Sequence, residues 1–476
     1  MENRPPYELF RKLDLQFQLS DFLLVIDNEM EETKWKHFID FAFKLGYIKI
    51  LIHSTLSGRS YDKLLFPNLR LRSTTAKDYA GFRDSFGNLN RYPVRVAAYN
   101  NVPRSFIYTN LEGKIIHTGY YMKFALAFLR YRNATFVPVY TGSDSPQNCT
   151  LAIKTNKVDM CADALSKNPI YFTVTNELRI AAANVIVPHA KPLLLYRYLT
   201  APFKTSVWLC LAIYVILIAG FMSLIHRARI GRWDFSRQLL EVFNSLLFGA
   251  FKLATIFGGE RYILFGILFI AGFVYSTEYS GLLKSMMISE VFESEITTFE
   301  ELAERRIPVL IDPYDRALFE RHYMPDILRS VVKTVPSETL VKHRNNLDQN
   351  YAYVLFPDRW GMFEYAQHYL RHPKFRRIQI DFCFLFAGFP MRNTWFLKHH
   401  LSRSLYNGFE SGLLDKMQFD SYREAVSQGY LNYTVTEHLE AKPLGLNHFL
   451  TTAIALALGY SLASISFLIE LLAWKF

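Results

Sequence analysis

The 476-residue sequence predicts a multi-domain membrane protein in which an α/β soluble region is split by an inserted membrane module. Two uncharged apolar runs, 205–225 and 262–277, sit mid-chain, and a third, 449–469, comes late; a helical span needs about 20 predominantly apolar residues. Between the first two lies a shorter run, 242–259, too polar to span and carrying Lys252 near its middle. Apolar strand-like runs alternate with helical patterns on both sides of this module, which is how α/β architecture is written in sequence.

Taken in order, 1–93 reads as the remnant of an α/β domain followed by a linker. FLLVID (22–27) and IKILIHS (48–54) are strands, flanking a helix at 31–47, and 57–93 is polar and connects onward. Residues 94–200 form a second soluble block, with strands at 94–99, 135–140 and 158–165, an amphipathic helix at 119–132, and NVIVPHAKP (184–192) leading toward the first span. The membrane module comprises a helix at 205–225, a re-entrant segment at 238–259 and a helix at 261–284. The third soluble block, 285–446, again alternates helices and strands, with a helix at 296–306, a strand at 307–312, a helix at 314–324, a strand at 351–356 and one long helical stretch at 394–418. A last membrane helix covers 449–472.

Half of the residues are hydrophobic, 40 of them Phe, and the formal charge is +11. The basic residues are spread over the soluble stretches with no Arg-rich arm or zinc-finger spacing, so nucleic acid is not an expected partner. The four cysteines form no CxxC pattern, and His399 and His400 diverge by about 100° on a helix, so no metal or other cofactor is expected. Spacing leaves a Cys149–Cys161 disulfide open. No nucleophile elbow or phosphate-binding glycine loop is present, which argues against an enzyme. Three spans and no inverted repeat argue against a transporter.

The link 226–237 holds Arg227, Arg229, Arg232 and Arg237 against Asp234. Short Arg-rich loops are cytoplasmic, so both α/β blocks are expected outside, along with the glycosylation sequons at Asn133, Asn148 and Asn432. Residues 1–20 lack the apolar core of a signal peptide; a truncated start and a signal-acting first helix are the two accounts of this.

Several stretches together resemble the ionotropic glutamate receptor superfamily, and more closely its divergent insect chemosensory branch. They are PFKTSVWLCL (202–211), FNSLLFGAF (243–251), YSGLLKSMM (279–287), SGLLDKM (411–417) and PLGLNHF (443–449) followed by FLIELL (467–472). The resemblance covers 94–476. It implies a bilobed, periplasmic-binding-protein-like ligand-binding domain formed by 94–200 and 285–446, closing on a small molecule. It also implies three transmembrane helices plus a re-entrant pore loop, with four subunits around the pore. The pore tip would be Lys252, Leu253 and Ala254, and the gate Tyr279, Ser280, Gly281, Leu283 and Lys284. The expected place is the plasma membrane of sensory neuron dendrites, as a heterotetramer with co-receptor subunits.

The departures from the family pattern sharpen this. Glutamate-binding members pair an Arg of the first lobe with the ligand carboxylate, a task suited to a forked donor. The corresponding stretch, 166-SKNPIYF-172, has only Lys167. Where the family has small hydroxyl residues at a helix N-terminus, this chain has 312-DPYD-315, with Asp312 as N-cap and Asp315 in the first turn. The acid that meets a ligand amine falls near Phe356, with Asp358 two residues on. Lys167, Tyr171, Tyr314, Asp315, Phe356 and Asp358 are therefore the candidate cleft residues, for an uncharged, cationic or partly apolar ligand and not for glutamate. Lys252 and Lys284 place positive charge on the expected ion path, which favours a subunit that conducts in heteromers over one that conducts alone; a non-conducting accessory receptor is the alternative.

Overall fold

The computed structural model describes residues 5–13, 20–28, 30–66, 68–81, 86–141, 146–168, 170–176, 180–194, 197–251, 258–288, 291–321, 323–368, 370, 372–431 and 449–473. The chain divides into two compact units, each discontinuous in sequence. One is Met1–His189 with Ile296–Glu437; the other is Ala190–Glu295 with His438–Phe476.

The first unit is α/β with mixed sheets. Its N-terminal part is a four-stranded sheet in the order Phe22–Ile26, Ile50–Ser54, Ser60–Leu64, Arg70–Thr74, the first pair parallel and the rest antiparallel. The Glu32–Lys44 helix covers it with Trp35, Phe38, Ile39 and Ala42. The polar stretch after residue 57 is thus not all linker, because it supplies a hairpin. Tyr61 and Leu71 of these strands pack on the sheet's core, while Lys63 is buried beside Asp62, its pKa drawn down to about 8 by that burial against the pull of Asp62.

A five-stranded sheet follows in the order Thr173–Val174, Pro390–Met391, Met160–Cys161, Pro93–Ala98, Thr135–Tyr140. Its core takes Val94, Val96 and Met160 from the strands, Met122, Phe124 and Phe128 from the Tyr120–Tyr131 helix, and Leu401 and Leu405 from the Lys398–Glu410 helix. Phe43, Phe66 and Phe86 pack against Phe396 here, with ring centroids 4.9–5.6 Å apart. A seven-stranded sheet runs Leu165–Ser166, Phe382–Gly388, Ile180–Pro188, Ala352–Leu355, Val309–Ile311, Val332–Thr334, with Phe375–Arg377 also paired to Ile180–Pro188. Cores form on both its faces, one around Val185, Phe319 and Phe382, the other around Ile186, Tyr353 and Phe363.

The sheets do not follow the blocks of sequence one to one. Ile180–Pro188 lies beyond the five-stranded sheet's strands in the first block, yet all its partners come from residues 352–386. Conversely, Pro390–Met391 joins the five-stranded sheet. The helical stretch expected at 394–418 is two helices, Lys398–Glu410 and Leu413–Ser427. Gly412 separates them at φ +70°, a conformation glycine adopts without steric cost. A disulfide joins Cys149 to Cys161.

Among the described residues, the second unit holds three helices long and apolar enough to cross a membrane, with candidate spans of 26, 28 and 18 residues at Thr205–Ile230, Arg261–Ile288 and Thr452–Ile469. The first two sandwich the amphipathic Phe235–Leu246 helix, through Ala219, Met222, Val242, Leu264 and Leu268. Residues on either side of the inserted helices pair with each other: Leu193 N donates to Val291 O at 2.7 Å and Glu293 N to Lys191 O at 3.0 Å.

Candidate functional site

The site is built around Arg104, in the turn between the Pro93–Ala98 strand and the short Phe106–Thr109 strand. Its side chain is only 10% exposed and lies between two carboxylates far apart in sequence. Nε and Nη2 donate to Asp358 at 2.6 and 3.2 Å, a forked pairing, and Nη1 donates to Asp163 Oδ1 at 3.2 Å and to the Ala164 carbonyl at 3.1 Å. Four of the five guanidinium N–H directions have an acceptor.

Each carboxylate is held further. Asp163 accepts from Tyr99 OH, from Asn101 Nδ2 at 2.7 Å and from the Ala164 amide at 2.7 Å. Asp358 also accepts from Tyr120 OH at 3.0 Å. Burial pushes Asp358 up, but the charges and hydrogen bonds of Arg104, with Arg359 and Tyr120, outweigh it and hold the carboxyl below its usual range. Burial likewise works against the charged Arg104, and Asp358 and Asp163 more than offset it. Tyr99 and Tyr120 are driven up by burial and then by the neighbouring carboxylates, so both stay protonated donors.

Tyr314 and Asp315 open the Pro313–Arg321 helix, whose end is capped by Asp312 Oδ1 accepting from the Asp315 amide at 2.7 Å. Tyr314 is raised first by burial, then by Asp163 and Asp315. Burial and Asp312 push Asp315 up to about 6, against the pull of Arg359, Arg344 and Arg104. Phe356, buried, faces the Arg104 guanidinium at 5.8 Å from its ring centroid. Arg359 reaches Asn101 Oδ1, and its Nε is buried with no hydrogen-bond partner.

Four of the six residues proposed from sequence therefore gather around one buried ionic cluster: Tyr314, Asp315, Phe356 and Asp358. The other two stand apart from it. Lys167 is exposed, and Tyr171, also exposed, is covered by Lys154 Nζ at 4.2 Å from its ring centroid. Arg104, the centre of the arrangement, escaped sequence reasoning, as did Asp163. An acid 254 positions from its arginine leaves no local pattern.

Beside the cluster is a cavity of about 180 Å³. Arg104, Tyr120 and Asp358 form its polar wall; Tyr121, Ala387, Leu405, Phe409, Leu414 and Gln418 are among the rest. Tyr121 is half-buried, and burial pushes its hydroxyl up to about 12.

In the second unit the proposed gate residues Tyr279, Ser280, Gly281, Leu283 and Lys284 all lie on the Glu260–Ile288 helix. Tyr279 OH donates to the Leu199 carbonyl at 2.9 Å, and its ring meets Phe203 and Trp208. Ser280, Gly281 and Lys284 are exposed and Leu283 half-buried. Lys252, Leu253 and Ala254, proposed for the pore tip, and the sequon Asn432 lie outside the described residues. Asn133 is exposed just after the Tyr120–Tyr131 helix; Asn148 is half-buried within the Pro146–Lys154 helix. Among the described residues no group of three or more His, Cys, Asp or Glu side chains has metal-binding geometry.

No protein-family model and no curated protein matches the chain.

Proposed function

We propose that the chain is a subunit of a ligand-gated, cation-selective ion channel of the chemosensory type, working in the plasma membrane as a heteromer with co-receptor subunits. The observation that carries this reading is the interleaving of the two units. An α/β unit is interrupted at His189 by a unit with two apolar spans, resumes at Ile296, and leaves again for a third. A protein that only anchors a soluble domain needs one tether; returning the chain to the soluble domain between spans couples that domain covalently to the membrane helices on both sides.

In this reading the five- and seven-stranded sheets, each with its own core, are the two lobes of a ligand-binding domain, and 238–259 is the re-entrant pore loop. The pairing of 191–193 with 291–293 supports a shared linker through which movement would reach the Tyr279–Lys284 segment. The absence of a free guanidinium fork at Arg104 supports a ligand other than glutamate.

The lysines favour a second reading, a non-conducting accessory receptor. Lys252 and Lys284 fall in the proposed pore loop and gate, where four like charges around a narrow axis repel passing cations by several kcal/mol. Whole-cell recording separates the two. Co-expressed with a co-receptor subunit, wild type is expected to pass ligand-evoked current, and Lys252→Gln to enlarge it. Current from the co-receptor that is indifferent to this chain and to the substitution favours the accessory role.

A further inference from the structure

The cavity beside Arg104 has a size and a charge state that narrow what it can hold. Its volume of about 180 Å³ is close to that of an engineered protein cavity of about 150 Å³ that holds benzene. Of the residues named from sequence as a ligand site, only Asp358 lines it. Leu405, Phe409, Leu414 and Ala387 make most of its wall apolar, and Tyr121 and Gln418 bring neutral polar groups to it.

Its charges are already matched to each other. An anionic ligand would need the Arg104 fork, but Nε and Nη2 are held by Asp358 and Nη1 by Asp163 and the Ala164 carbonyl. A cationic ligand would need Asp358, but Oδ2 already accepts from Arg104 and Tyr120, and Oδ1 from Arg104. An ion entering the cavity would have to give up part of its hydration against a largely apolar wall whose two charged groups are already paired with each other, which is costly. A neutral molecule loses little there.

We infer that this cavity is a binding site for a small, uncharged, largely apolar molecule of about one ring with a single hydroxyl or carbonyl, and that Arg104 is the resident cation that excludes charged analogues. The inference rests on the ligand-gated reading for its link to current; the binding itself does not depend on that reading.

Three probes of nearly equal shape test it: benzyl alcohol, benzylamine and benzoate, titrated calorimetrically at pH 7 into the full-length protein in detergent. Wild type is expected to bind the alcohol roughly tenfold or more tighter than either ion, a difference of about 1.4 kcal/mol or more. Leu414→Trp, at a half-buried lining position, is expected to fill the cavity and abolish binding of the alcohol; alcohol dissolved in the detergent is common to both proteins and cancels. Arg104→Ala, which leaves Asp163 and Asp358 without their cation, is expected to reverse the preference toward benzylamine; if that variant does not fold, the Leu414→Trp comparison decides alone. Failure of wild type to bind the alcohol above the Leu414→Trp level overturns the inference, and so does equal or tighter binding of either ion. Alcohol binding that leaves co-expressed current unchanged counts against the ligand-gated reading and leaves the site standing.

Discussion

Arg104 directs four hydrogen bonds at two acids and a carbonyl, so its removal strips partners from three groups at once. Breaking a buried ion pair by deleting one partner typically costs about 3–5 kcal/mol, because the other charge is left uncompensated. Arg104→Ala should therefore lower the unfolding midpoint sharply in thermal or denaturant titrations of the detergent-solubilised protein. Adding Asp358→Asn should recover part of the loss. Asp315 makes a prediction of opposite sense. Its folded pKa, raised to about 6 by burial and by Asp312, lies above the ordinary 3.8, so the folded state holds the proton more tightly. Its contribution to stability is complete below about pH 4 and is lost as pH rises through 6. Asp315→Asn should flatten the stability profile over that window and leave the protein more stable than wild type at pH 7. The sequence placed Asp358 and Asp315 near a cleft through their resemblance to known positions. It said nothing of Arg104, because an arginine in a turn carries no periodicity and its partners come from other segments of the fold.

Among the elements, those with strong periodicity were legible. The helix expected at 119–132 is Tyr120–Tyr131, and the apolar run 22–27 is the strand Phe22–Ile26. Ser60–Leu64 and Arg70–Thr74 were not legible, since a short hairpin rich in Arg, Lys, Asp and Ser looks like a linker until its ladder with Ile50–Ser54 is known. The break at 411–412 was hidden by apolar positions that continue across it. In the membrane unit, Gly272 marks close contact between two helices. A Cβ there would stand 2.0 Å from the Ser245 carbonyl oxygen, so even alanine must push the Phe235–Leu246 helix aside. Overpacking of this kind costs about 1–3 kcal/mol. Gly272→Ala is expected to lower the apparent melting temperature of the solubilised protein, while Gly266→Ala, with open space around it, should not.

At the scale of the whole molecule, the Arg-rich 226–237 link predicts that the α/β unit is extracellular, and the sequons give that orientation a direct test. Asn133 stands exposed with φ +51°, its Nδ2 donating, among the described residues, only to the exposed Asn88 side chain at 2.8 Å. Asn148 is half-buried in a helix, donates to the Thr141 carbonyl at 3.1 Å and adjoins the disulfide-bonded Cys149. Glycosidase treatment of protein from secretory-competent cells should shift its gel mobility. Asn133→Gln should remove much of that shift, and Asn148→Gln should leave it unchanged. The division into α/β and membrane parts was visible in sequence because hydropathy and periodicity are local. The exchange of strands between sheets was not, because it depends on partners roughly 200 residues away. That exchange also sets a timetable for biogenesis. Ile180–Pro188 emerges from the ribosome before both mid-chain spans, yet its partner strands at 352–355, 375–377 and 382–388 are made only after them. Throughout the insertion of those spans an apolar strand with open edges waits unpaired, the state in which aggregation competes with folding. Maturation of this protein should thus depend on chaperones that hold the early half until the late half arrives.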